Sequence, residues 1–158
     1  MQCPLDHDKF REEPKLTLVS ASDGGGPRFD LPMIEEESEP FWAALRDGKL
    51  LIKRCGACGR HHSYPRPFCP HCWSDEVEWV EASGEATLYT HSVVHRNDLP
   101  PFGPQVPYVA AVVDLAEGPR LMTRVVDCPH DELAIGMALR LRTEPLTDDV
   151  TMAIFTPA

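Results

Sequence analysis

No stretch of this 158-residue sequence approaches the run of about 18 apolar residues that a membrane-spanning helix needs, so no membrane association is expected. The start, Met1-Gln2-Cys3-Pro4-Leu5-Asp6, lacks the charged-then-apolar pattern of a secretory signal, which makes a cytoplasmic protein the expectation. Basic residues are scarce: 15 Lys and Arg against 25 Asp and Glu give a formal charge of −10. Affinity for nucleic acid rests on neutralising phosphates, so this balance disfavours a polyanion binder. Long uninterrupted elements are scarce too, because 16 prolines and 10 glycines punctuate the chain, which argues against an all-helical bundle. The length is that of one ordinary domain or two small ones, too short for a large two-domain enzyme.

Acid is missing altogether from one window. Residues 1–48 carry five basic and eleven acidic groups and residues 75–158 carry five and fourteen, whereas residues 49–74 carry five basic groups and none that is acidic. The same window holds four of the six cysteines, Cys55, Cys58, Cys69 and Cys72, and three of the seven histidines, His61, His62 and His71. Two Cys-x-x-Cys pairs separated by ten residues have the spacing of a zinc ribbon, in which each pair sits on a tight knuckle and gives two thiolates to one tetrahedral ion. A disulfide framework is the competing reading, but a cytosolic chain keeps its thiols reduced. A rubredoxin-type iron site would use the same four ligands, since thiolate softness does not separate the two metals. Four thiolates leave no open coordination position, so the metal is expected to staple the fold rather than activate water. Such a staple supplies about 10–16 kcal/mol in small zinc modules. His61 and His62 are expected to be solvated, and Cys3 and Cys128 to be ordinary free thiols.

Around this island the chain divides into regions. Residues 1–32, with Ser20-Ala21-Ser22-Asp23-Gly24-Gly25-Gly26-Pro27, show no apolar periodicity and read as a flexible arm. Ser38 can cap a short helix within residues 33–48, with Glu39 and Pro40 in its first turn and Gly48 at its end. Phe41, Trp42 and Leu45 share a face of it, to pack on the chain's own core or to dock a partner. Residues 49–82 make the ribbon, flanked by short strands from Lys49 to Arg54 and from Glu76 to Glu81. Residues 83–158 hold five β-rich segments, Thr87 to His95, Tyr108 to Leu115, Arg120 to Val126, Ala138 to Arg142 and Val150 to Phe155. Five strands in so short a span suggest a closed Greek-key barrel of the OB type, because closure removes exposed edges. The predicted fold is therefore mainly β: an N-terminal helix, a rubredoxin-like zinc ribbon and a five-stranded OB-fold barrel.

Residues 33–158 resemble the DUF35 family. The resemblance rests on Phe41-Trp42-Ala43-Ala44-Leu45, on Gly48-Lys49-Leu50-Leu51-Ile52-Lys53-Arg54-Cys55 and on Tyr64-Pro65-Arg66-Pro67-Phe68-Cys69-Pro70-His71-Cys72. It continues through Glu78-Trp79-Val80-Glu81-Ala82-Ser83-Gly84, Val94-His95-Arg96, Pro107-Tyr108-Val109, Glu117-Gly118-Pro119-Arg120-Leu121 and Ile135-Gly136-Met137. It implies a zinc-containing, non-catalytic subunit that stabilises a thiolase-superfamily partner and helps to form its site for a CoA thioester, with a hydratase-like subunit in some complexes. No catalytic residue is assigned to the chain itself.

Coenzyme A presents three phosphates and a thin pantetheine arm, so the contact candidates are Arg54, Arg60, Arg66, His95, Arg96 and Phe102. Arg suits bidentate phosphate contact, although each is equally a solvated surface charge. His91 and His95 share a strand face with Val93, but no Ser or Cys nucleophile accompanies them. The alternative function is a single-stranded nucleic-acid module, with Tyr89, Tyr108 and Phe102 as stacking platforms.

Overall fold

The computed structural model describes residues 30–158. The flexible arm expected over residues 1–32 lies outside the described residues except for its last three, and Cys3 lies outside them as well.

The helix α1, Glu39–Arg46, begins where the sequence places it, with Pro40 in its first turn. Ser38 does not cap it through its side chain. Its backbone is already near-helical, with φ −101° and ψ −12°, and its hydroxyl donates to the Glu35 carbonyl and accepts from the Glu35 amide, both at 3.1 Å. The amide of Gly48 closes the last turn on the Leu45 carbonyl at 3.1 Å.

Three strands form the first sheet in the order β2-β1-β3, with β1 at Leu51–Cys55, β2 at His61–His62 and β3 at Val77–Glu81, all antiparallel. The second sheet closes on itself. Strands β4 (Glu85–Val94), β5 (Tyr108–Leu115), β6 (Arg120–Val125), β7 (Ala138–Pro145) and β8 (Thr151–Pro157) run in the order β4-β5-β6-β8-β7, and β7 pairs back with β4. One parallel contact, Val125 with Phe155, joins β6 to β8. Among barrels this is the OB-fold connectivity, as the sequence predicts.

The barrel interior follows from period-two alternation. In β5 every second residue, Val109, Ala111, Val113 and Leu115, is buried. A bulge between Leu88 and Thr90 shifts the register of β4 against β5, which increases the local bend a small barrel needs. Strand β7 runs three residues beyond the expected end at Arg142, because its hairpin with β8 stays in register up to Pro145 opposite Thr151.

Helix, ribbon and barrel share one core. Leu45 from α1, Leu50 and Ile52 from the ribbon, and Leu88, Val113 and Phe155 from the barrel are buried in a single cluster. Leu45 is fully enclosed, worth about 1.5–3 kcal/mol as a buried aliphatic side chain. The joint between the modules is at Gly84, whose φ is +79° and where an added Cβ would meet the Leu141 Cβ at 3.1 Å. Next to it, the Ser83 amide donates to Glu117 at 2.7 Å. Burial alone would raise the Glu117 carboxyl, but the Ser83 amide and hydroxyl outweigh it and hold its pKa below the ordinary glutamate value. No helix among the described residues is long and apolar enough to cross a membrane.

Candidate metal centre and its surroundings

The ribbon brings its four cysteines together from two knuckles. Cys55 ends β1, and Cys58 follows one turn later with its amide 3.5 Å from the Cys55 sulfur. In the second knuckle the His71 amide points at the Cys69 sulfur at 3.4 Å. All four Sγ atoms lie within 4.8 Å of one another, with Cys55 to Cys72 at 3.6 Å and Cys58 to Cys69 at 3.7 Å. A Zn–S bond of about 2.3 Å sets a tetrahedral edge of about 3.8 Å, so the thiols are spaced to hold one ion. Cys55 and Cys69 are buried while Cys58 and Cys72 face solvent, which puts the centre just beneath the surface.

Burial pushes the Cys69 thiol up, but the His71 and Cys72 amides and the neighbouring thiols outweigh it and bring its pKa down to about 7. At Cys72 the Ser74 amide lowers the pKa, yet burial and the three other thiols outweigh it and push it up to about 12. A divalent ion binds the thiolates and displaces their protons, so metal affinity falls as pH falls. Cys128 takes no part. Burial, with Glu132 and Asp131 beside it, raises its pKa and keeps it a thiol, as an ordinary free cysteine should be.

The expectation that His62 is solvated needs correction. Pairing of β2 with β1 sets His62 against Lys53 and buries it to 7% exposure. Its Nδ1–H donates to the Tyr64 carbonyl at 2.9 Å, and its Nε2 is buried with no partner among the described residues. Burial pushes its pKa down. His61 is only half-exposed.

The CoA-contact candidates fall into two groups at opposite ends of the barrel. Arg54, Arg60 and Arg66 belong to the ribbon. Arg54 is paired with Glu78 at 3.4 Å, Arg60 reaches His71 Nδ1 at 3.4 Å, and Arg66 makes no ion pair among the described residues. A groove of about 310 Å³ runs between ribbon and barrel, lined by Arg66, His61, His62, His71 and Arg120 without a carboxylate. Arg120 was not singled out in the sequence, because its place beside the ribbon depends on the β5–β6 turn, where Ser63 donates to its carbonyl at 2.8 Å.

The second group, His95, Arg96 and Phe102, sits on the long β4–β5 loop. That loop lies at the other end of β4, about 30 Å of extended chain from the ribbon end. His95 is exposed beyond the end of β4, Arg96 is paired with Asp98 at 2.9 Å, and Phe102 is half-buried with its ring 6.3 Å from Tyr108. His91 remains inside the strand, half-buried, with its Nδ1 buried and without a hydrogen-bond partner among the described residues. Two of the three proposed base-stacking rings are already covered, Tyr89 by the Arg120 guanidinium at 3.4 Å and Tyr108 by Arg124 at 5.1 Å.

On α1, Leu45 lies in the core and offers nothing to a partner. It faces the barrel, whereas Phe41 and Trp42 lie edge to face at 5.1 Å and stay half-exposed against the same core.

Known proteins share this arrangement in order and extent. Residues 42–78 match the rubredoxin-like zinc ribbon domain of ChsH2, and residues 79–144 match the C-terminal OB-fold domain of ChsH2. A probable enoyl-CoA hydratase alpha subunit of Thermomonospora curvata is 36% identical over 127 residues, 80% of this chain and 39% of that protein. This chain thus spans about two fifths of that relative. A DUF35 domain-containing scaffold protein of Methanocaldococcus jannaschii is 34% identical over 117 residues, 73% of this chain and 82% of its own length. Among solved structures, a chain of the Ltp2-ChsH2(DUF35) aldolase is 35% identical, with a TM-score of 0.72 over 80% of this chain and 98% of that one. A DUF35 protein from Sulfolobus solfataricus, 18% identical with a TM-score of 0.56, shares the fold. With its knuckles, barrel and domain order accounted for together, this chain belongs to the DUF35 family.

Proposed function

We propose that the chain is a zinc-containing, non-catalytic subunit of a complex acting on acyl-CoA thioesters. The partner is a thiolase-like catalytic subunit that makes or breaks a carbon–carbon bond, in some assemblies beside a hydratase-like subunit. The observation that carries this reading is the match to the aldolase chain at TM-score 0.72, which covers 98% of that chain. Relatives named as hydratase alpha subunits from Thermomonospora curvata and Mycobacterium tuberculosis support the acyl-CoA setting.

The geometry supports a wall rather than a reaction centre. The candidate ligands are four thiolates, which saturate a tetrahedral ion and leave no position for substrate. The groove supplies one cation without an ion-pair partner among the described residues, Arg66, suited to a CoA phosphate, beside Arg120, which is paired with Asp114 at 2.7 Å. Docking falls to the exposed part of Phe41 and Trp42 on α1, within the segment 33–48, with the ribbon (49–82) and barrel (83–158) presenting the ligand face.

Co-expression with a thiolase-fold subunit from the same genome, followed by size-exclusion chromatography and metal analysis, tests the proposal. One stable species containing both chains and zinc is expected. Two separate peaks under conditions where both chains are folded would contradict it.

A further inference from the structure

The two metal knuckles have the same backbone and very different side chains. In the first, the Gly59 amide donates to the Cys55 carbonyl at 2.9 Å; in the second, the Trp73 amide donates to the Cys69 carbonyl at 2.9 Å. Each residue directly follows the second cysteine of its knuckle, and each takes a left-handed backbone, with φ of 72° and 64°. Glycine enters that region freely, whereas a bulky side chain crowds its own backbone there. The second knuckle nevertheless carries tryptophan where the first carries the residue the geometry favours.

Burial does not compensate. Trp73 is 75% exposed, the most exposed of the large apolar side chains among the described residues. Its one ring partner is the half-buried Phe68, stacked at 5.3 Å and 19° from parallel. A strained backbone held at an exposed aromatic is the kind of feature that persists for function, and tryptophan is a favoured anchor of protein interfaces.

We infer that Trp73, backed by Phe68, is the anchor by which the ribbon docks on the catalytic subunit, in an apolar socket rimmed by carboxylates. The acidic rim follows from local charge on the Phe68 side of the indole: Arg66, two residues before Phe68, has no ion-pair partner among the described residues, whereas Lys49 and Arg54 are paired with Glu81 and Glu78, and the groove that Arg66 lines holds no carboxylate. A nucleic acid fits less well. Phe68 already takes one face of the indole, and residues 75–158 bear fourteen acidic against five basic groups. Because the knuckle that sets the Trp73 backbone is the metal knuckle, docking through this surface requires the metal. The inference rests on the accessory-subunit reading above.

The test is Trp73→Gly in the full chain, which gives the second knuckle the residue of the first. Zinc content and the thermal midpoint are expected to hold or rise, while affinity for the purified catalytic subunit falls about 30-fold or more, the scale of a hot-spot residue. A second variant, Arg66→Glu, is expected to weaken binding at low salt by a factor that shrinks as salt is added. Wild-type affinity in Trp73→Gly would overturn the inference and leave the complex intact. Loss of zinc or of the folded ribbon in that variant would overturn it too, by making Trp73 a structural residue. Failure of the wild-type chain to bind the subunit would bring down the accessory-subunit reading and this inference together.

Discussion

Inside the barrel, Leu88, Val113, Leu139 and Phe155 are fully buried, supplied by four different strands. Inside the ribbon, the fully buried side chains are Leu50, Ile52 and two metal-binding thiols, Cys55 and Cys69. The barrel is held by apolar packing in a closed ring of strands; the ribbon, too small to bury much, is held by its metal. The difference also explains where specific features accumulate. A module stapled at its centre can expose Arg66 and Trp73 without risking its fold, whereas a barrel that lives on packing must keep its inner face apolar.

The largest effect expected from breaking this comparison comes at the metal. Cys55→Ser or Cys69→Ser should abolish stoichiometric zinc binding and remove hydrogen-exchange protection from β1, β2 and β3, while amides of β5 and β8 stay protected. Equal loss of protection in the barrel would mean that the two modules do not differ in what holds them. Phe155→Ala comes next. Its ring fills the core where β8 pairs with both β6 and β7, so a loss of about 3–5 kcal/mol is expected in denaturant unfolding, with zinc retained in whatever remains folded. Gly84→Ala at the joint should cost about 1–3 kcal/mol, the scale of a non-glycine forced into a sparsely populated backbone region. Thermal unfolding would show it as a lower midpoint at unchanged metal content. An unaltered midpoint would mean that the joint is slack.

Much of this design is legible from residue patterns, for physical reasons that differ by region. The two Cys-x-x-Cys pairs announce the centre because tetrahedral thiolate geometry demands tight knuckles. The strand from Tyr108 to Leu115 reads out at its observed bounds, since alternation along Tyr-Val-Ala-Ala-Val-Val-Asp-Leu is the direct imprint of one buried face. The two-residue strand β2 is too short to leave a period, so His62 looks solvated until its pairing with Lys53 turns it inward. Closure of the barrel depends on Val125 meeting Phe155, thirty residues apart, which no local pattern encodes. Phe41, Trp42 and Leu45 share a helix face in the sequence, but only packing shows that Leu45 belongs to the core. Aligned on their cysteines, the two knuckles already set Trp73 opposite Gly59 in the sequence.

The proposed role gives this chain a stapling metal and leaves the carbon–carbon chemistry to the partner subunit. The direct measurement is turnover of an acyl-CoA by the isolated zinc-loaded chain, by the proposed thiolase-fold subunit and by the two together. No carbon–carbon cleavage or condensation is expected from the chain alone, with full activity and partner stability only in the complex. Turnover by the purified chain by itself would contradict the account.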